Sequence, residues 1–442
     1  MTTGEWTIRR LGDLVSIKHG WPFKSEYFSD ELTGRPIVVA VGNFRYDGGF
    51  RFGETAIKEY RGAYPDEYRL EAGDIVLIMT CQTQGGEILG VPATIPDDGN
   101  IYLHNQRLGK VAVKEPGLID RRFLFHVFKS YTFNAELCAT ASGSKILHTA
   151  PTRIEAFEFA CPRLDEQVAI ASVLEALDDK IEQNRRTALA LERLARAIFR
   201  AWFVDFEPVK AKAAGAASFP SMPQPAFDAL PTRLVDSAIG PVPEGWELKS
   251  LAEACQIVSG GTPKRSVASY WGGEVPWYSV KDAPAEGQPW VIHTGESITD
   301  DGVANSTVRI VPKGATIISA RGTVGRLAMA GRSMAFNQSC YGLLPPDGKS
   351  FGYIYLLLQT AVDRLQQRTH GSVFETVTRS TFEGIDVVAP EPSVLLSFGQ
   401  VVTPLLELLH ALEVESSKLA DMRDYLLPRL LTGQVRVGES HG

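Results

Sequence analysis

The stretch GSKILHTAPTRIEAFEFACP, residues 143–162, lies without a gap on GSVFETVTRSTFEGIDVVAP, residues 371–390. A Gly-Ser pair, an Arg, an alternating strand-like run and a final Pro stand in both, so the chain carries two copies of one unit. Working outward, Trp6 to Leu11, Ile17 and Gly20 reappear as Trp246 to Leu251, Ile257 and Gly260 at a constant offset of 240 positions (246 − 6). The strand-like run from Gly73 answers to the run from Gly314, and Asn105-Gln106 answers to Asn337-Gln338. The offset changes between these anchors, which places the insertions in loops.

After the shared Pro each copy becomes helical. In the first, Ile170, Leu174, Leu177, Ile181, Asn184, Ala188, Leu191, Ala195, Ile198 and Trp202 recur at spacings of three and four, with charge between them. The second keeps the register through Val402, Leu405, Leu409, Leu412, Ser416, Leu419, Arg423, Leu426 and Leu430. A seam repeating every 3.5 residues over about four heptads needs a partner helix to bury it, and each copy is the other's nearest candidate. Ordinary helix packing would give the same apolar face. A helix of about 35 residues would be a rod of about 50 Å, long enough to hold two domains apart. Asn184 on the seam reads as a residue that fixes register, and Arg423 as a frayed end or a contact elsewhere.

The expected architecture is α/β in its mixed α+β form, two tandem recognition domains each followed by a long helix. The helices are expected to pair as an antiparallel coiled coil with pseudo-twofold symmetry. The boundaries follow as a first domain over 1–162, a helical region over 163–205, a connector over 206–243, a second domain over 244–390 and a second helical region over 391–435. The connector is rich in Ala, Pro and Ser without an apolar period, and reads as extended chain.

Composition is that of a folded protein: 442 residues, 44% hydrophobic and 22% charged, enough for about two to four domains. The net charge of −7 weighs mildly against a nucleic-acid ligand, although the field a ligand meets is local. Five cysteines, odd in number and never spaced as C-x-x-C, indicate neither a disulfide framework nor a zinc site and fit a reducing cytosol. With no leader-like start and no run of about 18 uninterrupted apolar residues, a cytoplasmic protein without a membrane partner is expected.

Catalytic signatures are absent. The stretch from Gly342 to Ser350 is one residue too long for a phosphate-binding loop and carries two prolines, which cannot donate a backbone N–H. Pro345-Pro346 lacks the Asn and aromatic that flank such a pair in adenine methyltransferases, and Asp97-Asp98 reads as a turn. The eight histidines form no H-x-x-x-H pair. No metal site is expected, and no catalytic residue.

Polar clusters recur at matching places. After the first apolar strand come Thr80, Gln82, Thr83 and Gln84, and after its counterpart come Arg321 and Thr323. Gln can bridge adenine N6 and N7, Arg can bridge guanine O6 and N7, and the neighbouring glycines let backbone approach closely. Lys18 and Lys24 in the first copy, and Thr262, Lys264, Arg265, Tyr278 and Lys281 in the second, supply cations and an aromatic suited to phosphate. Asn105, Gln106, Arg107, Asn337 and Gln338 fit base contact and equally fit an internal strand cap. Ser144 and Lys145, matched by Ser372, fit backbone contact or a turn.

With these residues in place, the chain closely resembles the specificity subunit of type I restriction–modification systems over nearly its whole length. FEFACPRLDEQVAIASVLEALDDKIEQN carries the family's strand, Pro, Glu-Gln and Leu-x-x-Leu-Asp-x-x-Ile pattern through Pro162, Glu166, Gln167, Ile170, Leu174, Leu177, Asp178 and Ile181. The second helix departs from it, with Pro392-Ser-Val-Leu in place of Glu-Gln and Leu406 in place of Asp178. The resemblance implies a non-catalytic subunit that reads a bipartite double-stranded DNA site with a fixed spacer. It implies two methyltransferase subunits as partners, and restriction subunits in the full complex. No cofactor is expected in this chain; S-adenosylmethionine, ATP and Mg²⁺ would belong to the partner subunits. The competing reading is a coiled-coil scaffold whose α/β domains bind another ligand.

Overall fold

A computed structural model of the chain describes residues 6–52, 57–82, 85–285, 287–368 and 376–437, the side chains of 363–368 excepted. The chain divides into two compact units, one of residues 1–179 and 419–442, the other of residues 180–418, so both long helices contribute to each unit.

In the first unit, strand Thr7–Arg10 pairs antiparallel with Glu158–Cys161, tying the start of the domain to the strand that precedes the long helix. A four-stranded sheet runs Val15–His19, Leu108–Val113, Ile75–Ile78, Pro92–Thr94, antiparallel throughout. All four residues of Ile75–Ile78 are buried because the strand is covered on both faces: Ile75 and Leu77 enter one apolar cluster, Val76 and Ile78 another. That is why the sequence shows a continuous apolar run there and not an alternating one. A second sheet runs Phe28–Ser29, Glu59–Tyr60, Ile37–Val38, Tyr102–Leu103, Arg69–Leu70, with Ile37–Val38 and Tyr102–Leu103 parallel.

The second unit repeats this plan. Glu247–Ser250 pairs with Asp386–Ala389. One sheet runs Gln256–Ser259, Cys340–Leu344, Thr316–Ser319, Leu327–Ala330, Trp290–Val291; the other runs Glu296–Ile298, Trp271–Tyr278, Met334–Phe336, Ile310–Val311, again with a parallel pair at its centre. The short helices Pro151–Glu155 and Arg379–Glu383 stand before the two closing strands at one offset of 228 (379 − 151).

The long helices span Leu164–Phe203 and Pro392–Leu431, 40 residues each. In the first unit Ile170, Ala171 and Leu174 share a cluster with Leu430, and Arg423 Nη1 donates to Asp178 Oδ1 at 2.8 Å. In the second unit Asn184 Nδ2 donates to Glu415 Oε2 at 2.7 Å, and the Phe199 and Phe398 rings lie 5.9 Å apart. Within each unit, residues that rise along one helix therefore meet residues that fall along the other. Ile170, Leu174, Asn184, Ala188, Ala195, Ile198, Trp202, Val402, Leu409, Arg423 and Leu430 are buried, while Leu177, Ile181, Leu191, Leu405, Leu412, Ser416, Leu419 and Leu426 are half-buried. Arg423 is no frayed end: its guanidinium satisfies Asp178, which Lys129 reaches from the domain at 3.0 Å. These cations hold the Asp178 carboxyl below its ordinary range despite the opposing effect of burial.

Glu166 and Gln167 turn inward. Glu166 accepts from Trp6 Nε1 at 3.0 Å and from Arg436 at 2.7 Å. Gln167, fully buried, accepts from Asp120 N and donates to the Leu118 and Pro162 carbonyls. This pair fastens the helix start to its own domain, which gives the Glu-Gln motif a local role that the second helix does without.

The connector is not extended chain. It forms helices Glu207–Ala213 and Gln224–Ala229 and a strand pair, Leu234–Val235 with Val242–Pro243. Phe206, Val209, Met222, Phe227 and Leu230 are buried in the main cluster of the second unit. Pro208 and Pro225 occupy first-turn positions, where proline starts helices.

The second long helix has an 18-residue window of mean hydropathy 1.5, long and apolar enough by length and composition to cross a membrane. A search for uninterrupted apolar runs passes over it because polar residues interrupt the window. Val394, Phe398, Val402, Leu406 and Leu409 of this helix are buried in the protein core.

Glu413 on the same helix is buried, and its Oε1 has no hydrogen-bond partner among the described residues. Burial pushes its pKa up from 4.5 to about 8, against a weaker opposing hydrogen bond from the Trp290 backbone. The unfolded chain releases this proton near pH 4.5 and the folded chain near 8, so the stability present below 4.5 is lost as pH rises between the two. Glu413→Gln, which cannot ionise, is expected to raise stability by up to roughly 5 kcal/mol at pH 8.5 and by little at pH 4.5. Urea unfolding across that range checks it; parallel wild-type and variant profiles would contradict it.

Candidate nucleic-acid interface

In the first unit four loops meet at one edge, joined by backbone hydrogen bonds. Trp21 N donates to His104 O at 2.8 Å, and Gln106 N to Trp21 O at 3.0 Å. Met79 N donates to Arg107 O at 2.9 Å, and Thr149 N to Met79 O at 3.0 Å. The segments carrying Lys18 and Lys24, Thr80 and Gln82, Gln106 and Arg107, and Ser144 and Lys145 are thereby neighbours although up to about 130 residues separate them.

The second unit has the same joints. Gly261 N donates to Phe336 O at 2.9 Å, Ala320 N to Ser339 O at 2.7 Å, and Val377 N to Ala320 O at 3.0 Å. Residues 260–265, 319–326 and 337–340 gather as their counterparts do. The glycines make this possible. A Cβ on Gly20 would stand 2.1 Å from Asn105 O, and one on Gly260 2.0 Å from Asn337 O.

On these frames the side chains differ. Lys18, Lys24, Gln82, Gln106, Arg107, Ser144 and Lys145 are exposed in the first unit; Lys264, Lys281, Arg321, Thr323 and Gln338 are exposed in the second. No ion pair to Lys18, Lys24, Lys145, Lys264, Lys281 or Arg321 is seen among the described residues. Thr80 Oγ1 shares a hydrogen bond of 3.1 Å with His148 Nδ1. His148 is an exposed residue that the sequence reading missed; its place in the repeated segment was the available signal. Thr262 Oγ1 donates to Gln338 Oε1, joining two of the loops. Thr83, Gln84 and Ser372 lie outside the described residues.

Two sequence expectations change, those for Tyr278 and Arg265, and for Asn105 and Asn337 the internal role is the one found. Tyr278 is fully buried beside Phe336 and Cys340, and burial raises its hydroxyl pKa, so it belongs to the core and not to a ligand surface. Asn105 Oδ1 accepts from Arg107 N and Asn337 Oδ1 from Ser339 N, both at 3.0 Å, so these side chains close their own turns. Arg265 forms a two-pronged ion pair with Glu296, 2.9 Å on one prong, which removes it from the free cations.

The histidine behind the first edge is structural. His104 is buried with Nε2 at 2.9 Å from Leu108 O, and burial pushes its pKa down to about 4, so it stays neutral at the base of the 104–108 turn. Among the described residues no group of three His, Cys, Asp or Glu side chains is placed to hold a metal ion. Exposed amides, hydroxyls and cations on a fixed backbone frame suit hydrogen bonding to a polyanion and to base edges.

Comparison with known proteins agrees with this chemistry. Residues 3–193 and 243–393 each match the type I restriction modification DNA specificity domain, and the chain belongs to that family of DNA sequence-recognition subunits. It is 27% identical over 314 residues to the type I restriction enzyme HindI specificity subunit of Haemophilus influenzae, covering 62% of this chain and 68% of that one. It is 28% identical over 163 residues to the MjaIX specificity subunit of Methanocaldococcus jannaschii, covering 36% of this chain and 38% of that one. The crystal structure of a type I restriction–modification S subunit from M. genitalium superposes with a TM-score of 0.59 at 16% identity, over 98% of this chain and 97% of that one.

Because the Asn337 carbonyl group faces Gly260 from the opposing backbone, Gly260→Ala cannot be relieved by a side-chain shift. It is expected to destabilise the second unit by about 3 kcal/mol or more. Gly42→Ala, whose Cβ meets nothing within 4 Å, should change stability by under about 0.5 kcal/mol. Melting temperatures of the two variants compare the sites, and equal effects would contradict the close-approach account.

Proposed function

We propose that the chain is the non-catalytic subunit that sets the sequence specificity of a type I restriction–modification complex. In this reading each domain reads one half of a bipartite double-stranded DNA site across a spacer of fixed length. The observation that carries it is the recurrence of one set of backbone joints in both units, bearing Gln, Thr and Lys in one and Arg, Thr and Gln in the other. A common frame with different side chains suits two different half-sites met in the same pose.

The long helices act in this reading as one antiparallel coiled coil with pseudo-twofold symmetry that sets the distance between the domains. Twofold symmetry in a reader mirrors that of duplex DNA, and half-sites about one helical turn apart would place both domains on one side of the duplex. The complex would include two methyltransferase subunits, and restriction subunits in its full form. S-adenosylmethionine, ATP and Mg²⁺ would be bound by those partners. The complex would work in the cytoplasm without a membrane partner.

Exchanging residues 1–162 for those of a relative of different specificity is expected to change one half of the methylated motif and leave the other intact. Methylation mapping of genomic DNA from cells carrying the hybrid reads this directly. A motif changed in both halves, or in neither, would overturn the assignment.

A further inference from the structure

In the second unit, the segment Gly261–Lys264 is held from below by two tryptophans. Trp277 Nε1 donates to Gly261 O at 3.0 Å from a buried position, and Trp271 Nε1 donates to Lys264 O at 3.4 Å. The two indoles meet edge to face at 5.2 Å. Over them lies Arg265, its guanidinium carbon 3.8 Å from the Trp271 ring centre and 5.0 Å from that of Trp277. Both of its terminal nitrogens reach Glu296, whose strand pairs with that of Trp277 in direct register. A guanidinium stacked on an indole and forked onto a carboxylate has its plane, position and charge all fixed.

The first unit builds the same place differently. At the offset of 240, Ser25 stands where Arg265 does, and the loop leans on Trp21 against Tyr68 at 5.1 Å and Phe23 against Tyr60 at 4.8 Å. The frame is shared while the clamp is peculiar to the second copy.

We infer that Arg265 is a positioning residue of the second interface: stacked on Trp271 and tied to Glu296, it holds Gly261–Lys264 so that Thr262, Lys264 and Gln338 meet one half-site, and it takes no phosphate itself. This rests on the reading of that edge as a DNA interface. Freed of Glu296, Arg265 becomes a mobile cation beside the loop, so the positioning role and a direct phosphate contact predict opposite results.

The test uses the full chain in its complex and fluorescence anisotropy against duplexes carrying the mapped motif or single changes in either half, over a range of salt. Arg265→Ala, Arg265→Lys and Glu296→Gln are each expected to lower discrimination at the second domain's half-site about tenfold, the scale of one good base contact. Discrimination at the other half-site should stay as in the wild type, and the salt slope of log K should fall by no more than the single Lys264 contact that the loop carries. Lys264→Ala, a phosphate contact, should reduce that slope by about one unit.

Tighter binding by Glu296→Gln, near wild-type behaviour of Arg265→Lys, or a slope lowered by Arg265→Ala at unchanged discrimination would each overturn the proposal in favour of a phosphate contact. Unchanged discrimination in all three variants would overturn it as well. Equal loss at both half-sites would mean that the unit is merely unfolding, which the melting temperature reports, and would also count against it. A wild-type complex with no sequence preference would instead sink the DNA reading on which it stands.

Discussion

Each copy depends on a short antiparallel ladder between its first strand and its last. Thr7–Arg10 lies against Glu158–Cys161 and Glu247–Ser250 against Asp386–Ala389, four residues in register in each case. The last strand leads within a few residues into a long helix, so the ladder fixes both the closure of the domain and the root of the helix. In the first copy Glu166 and Gln167 strengthen that root by bonding back to Trp6, Leu118 and Asp120. With the root fixed, the sheet edge that gathers the loops is fixed as well, because Gly20 and Asn105, or Gly260 and Asn337, lie one strand away from it.

The long helices follow from an apolar period that survives without a gap, and the period was legible because a seam tolerates few exceptions. Its exceptions are instructive: Asn184 and Arg423 are buried on the seam and each finds a carboxylate, Glu415 and Asp178, within its own unit. A buried charge without such a partner is costly, which is the situation of Glu413 and the reason its carboxyl holds its proton.

Much of the frame could be read from self-comparison, since the repeat marks Gly20, Asn105, Gly260 and Asn337 as anchors. Their mutual contact could not, because nothing in the sequence says that residues 85 apart (105 − 20) or 77 apart (337 − 260) share a van der Waals boundary. Tyr278 was misplaced for a related reason. The end of strand Trp271–Tyr278 is covered on both faces, Trp277 entering one cluster and Tyr278 another, so these aromatics are core although polar residues follow at once. Arg265 carried a charge whose partner stands 31 residues on, in another strand. The connector was opaque because Phe206, Val209, Met222, Phe227 and Leu230 follow no single period, each being set by the surface it covers.

The most direct measurement of the central claim, that equivalent edges of the two units meet DNA, is hydrogen–deuterium exchange of the full chain in its complex with and without a duplex carrying the mapped motif. Protection confined to the segments around 79–82, 105–107 and 142–148 in one unit and 260–265, 319–326 and 337–340 in the other is the predicted result. Protection in one unit alone, or at segments outside these two edges in place of them, would contradict it.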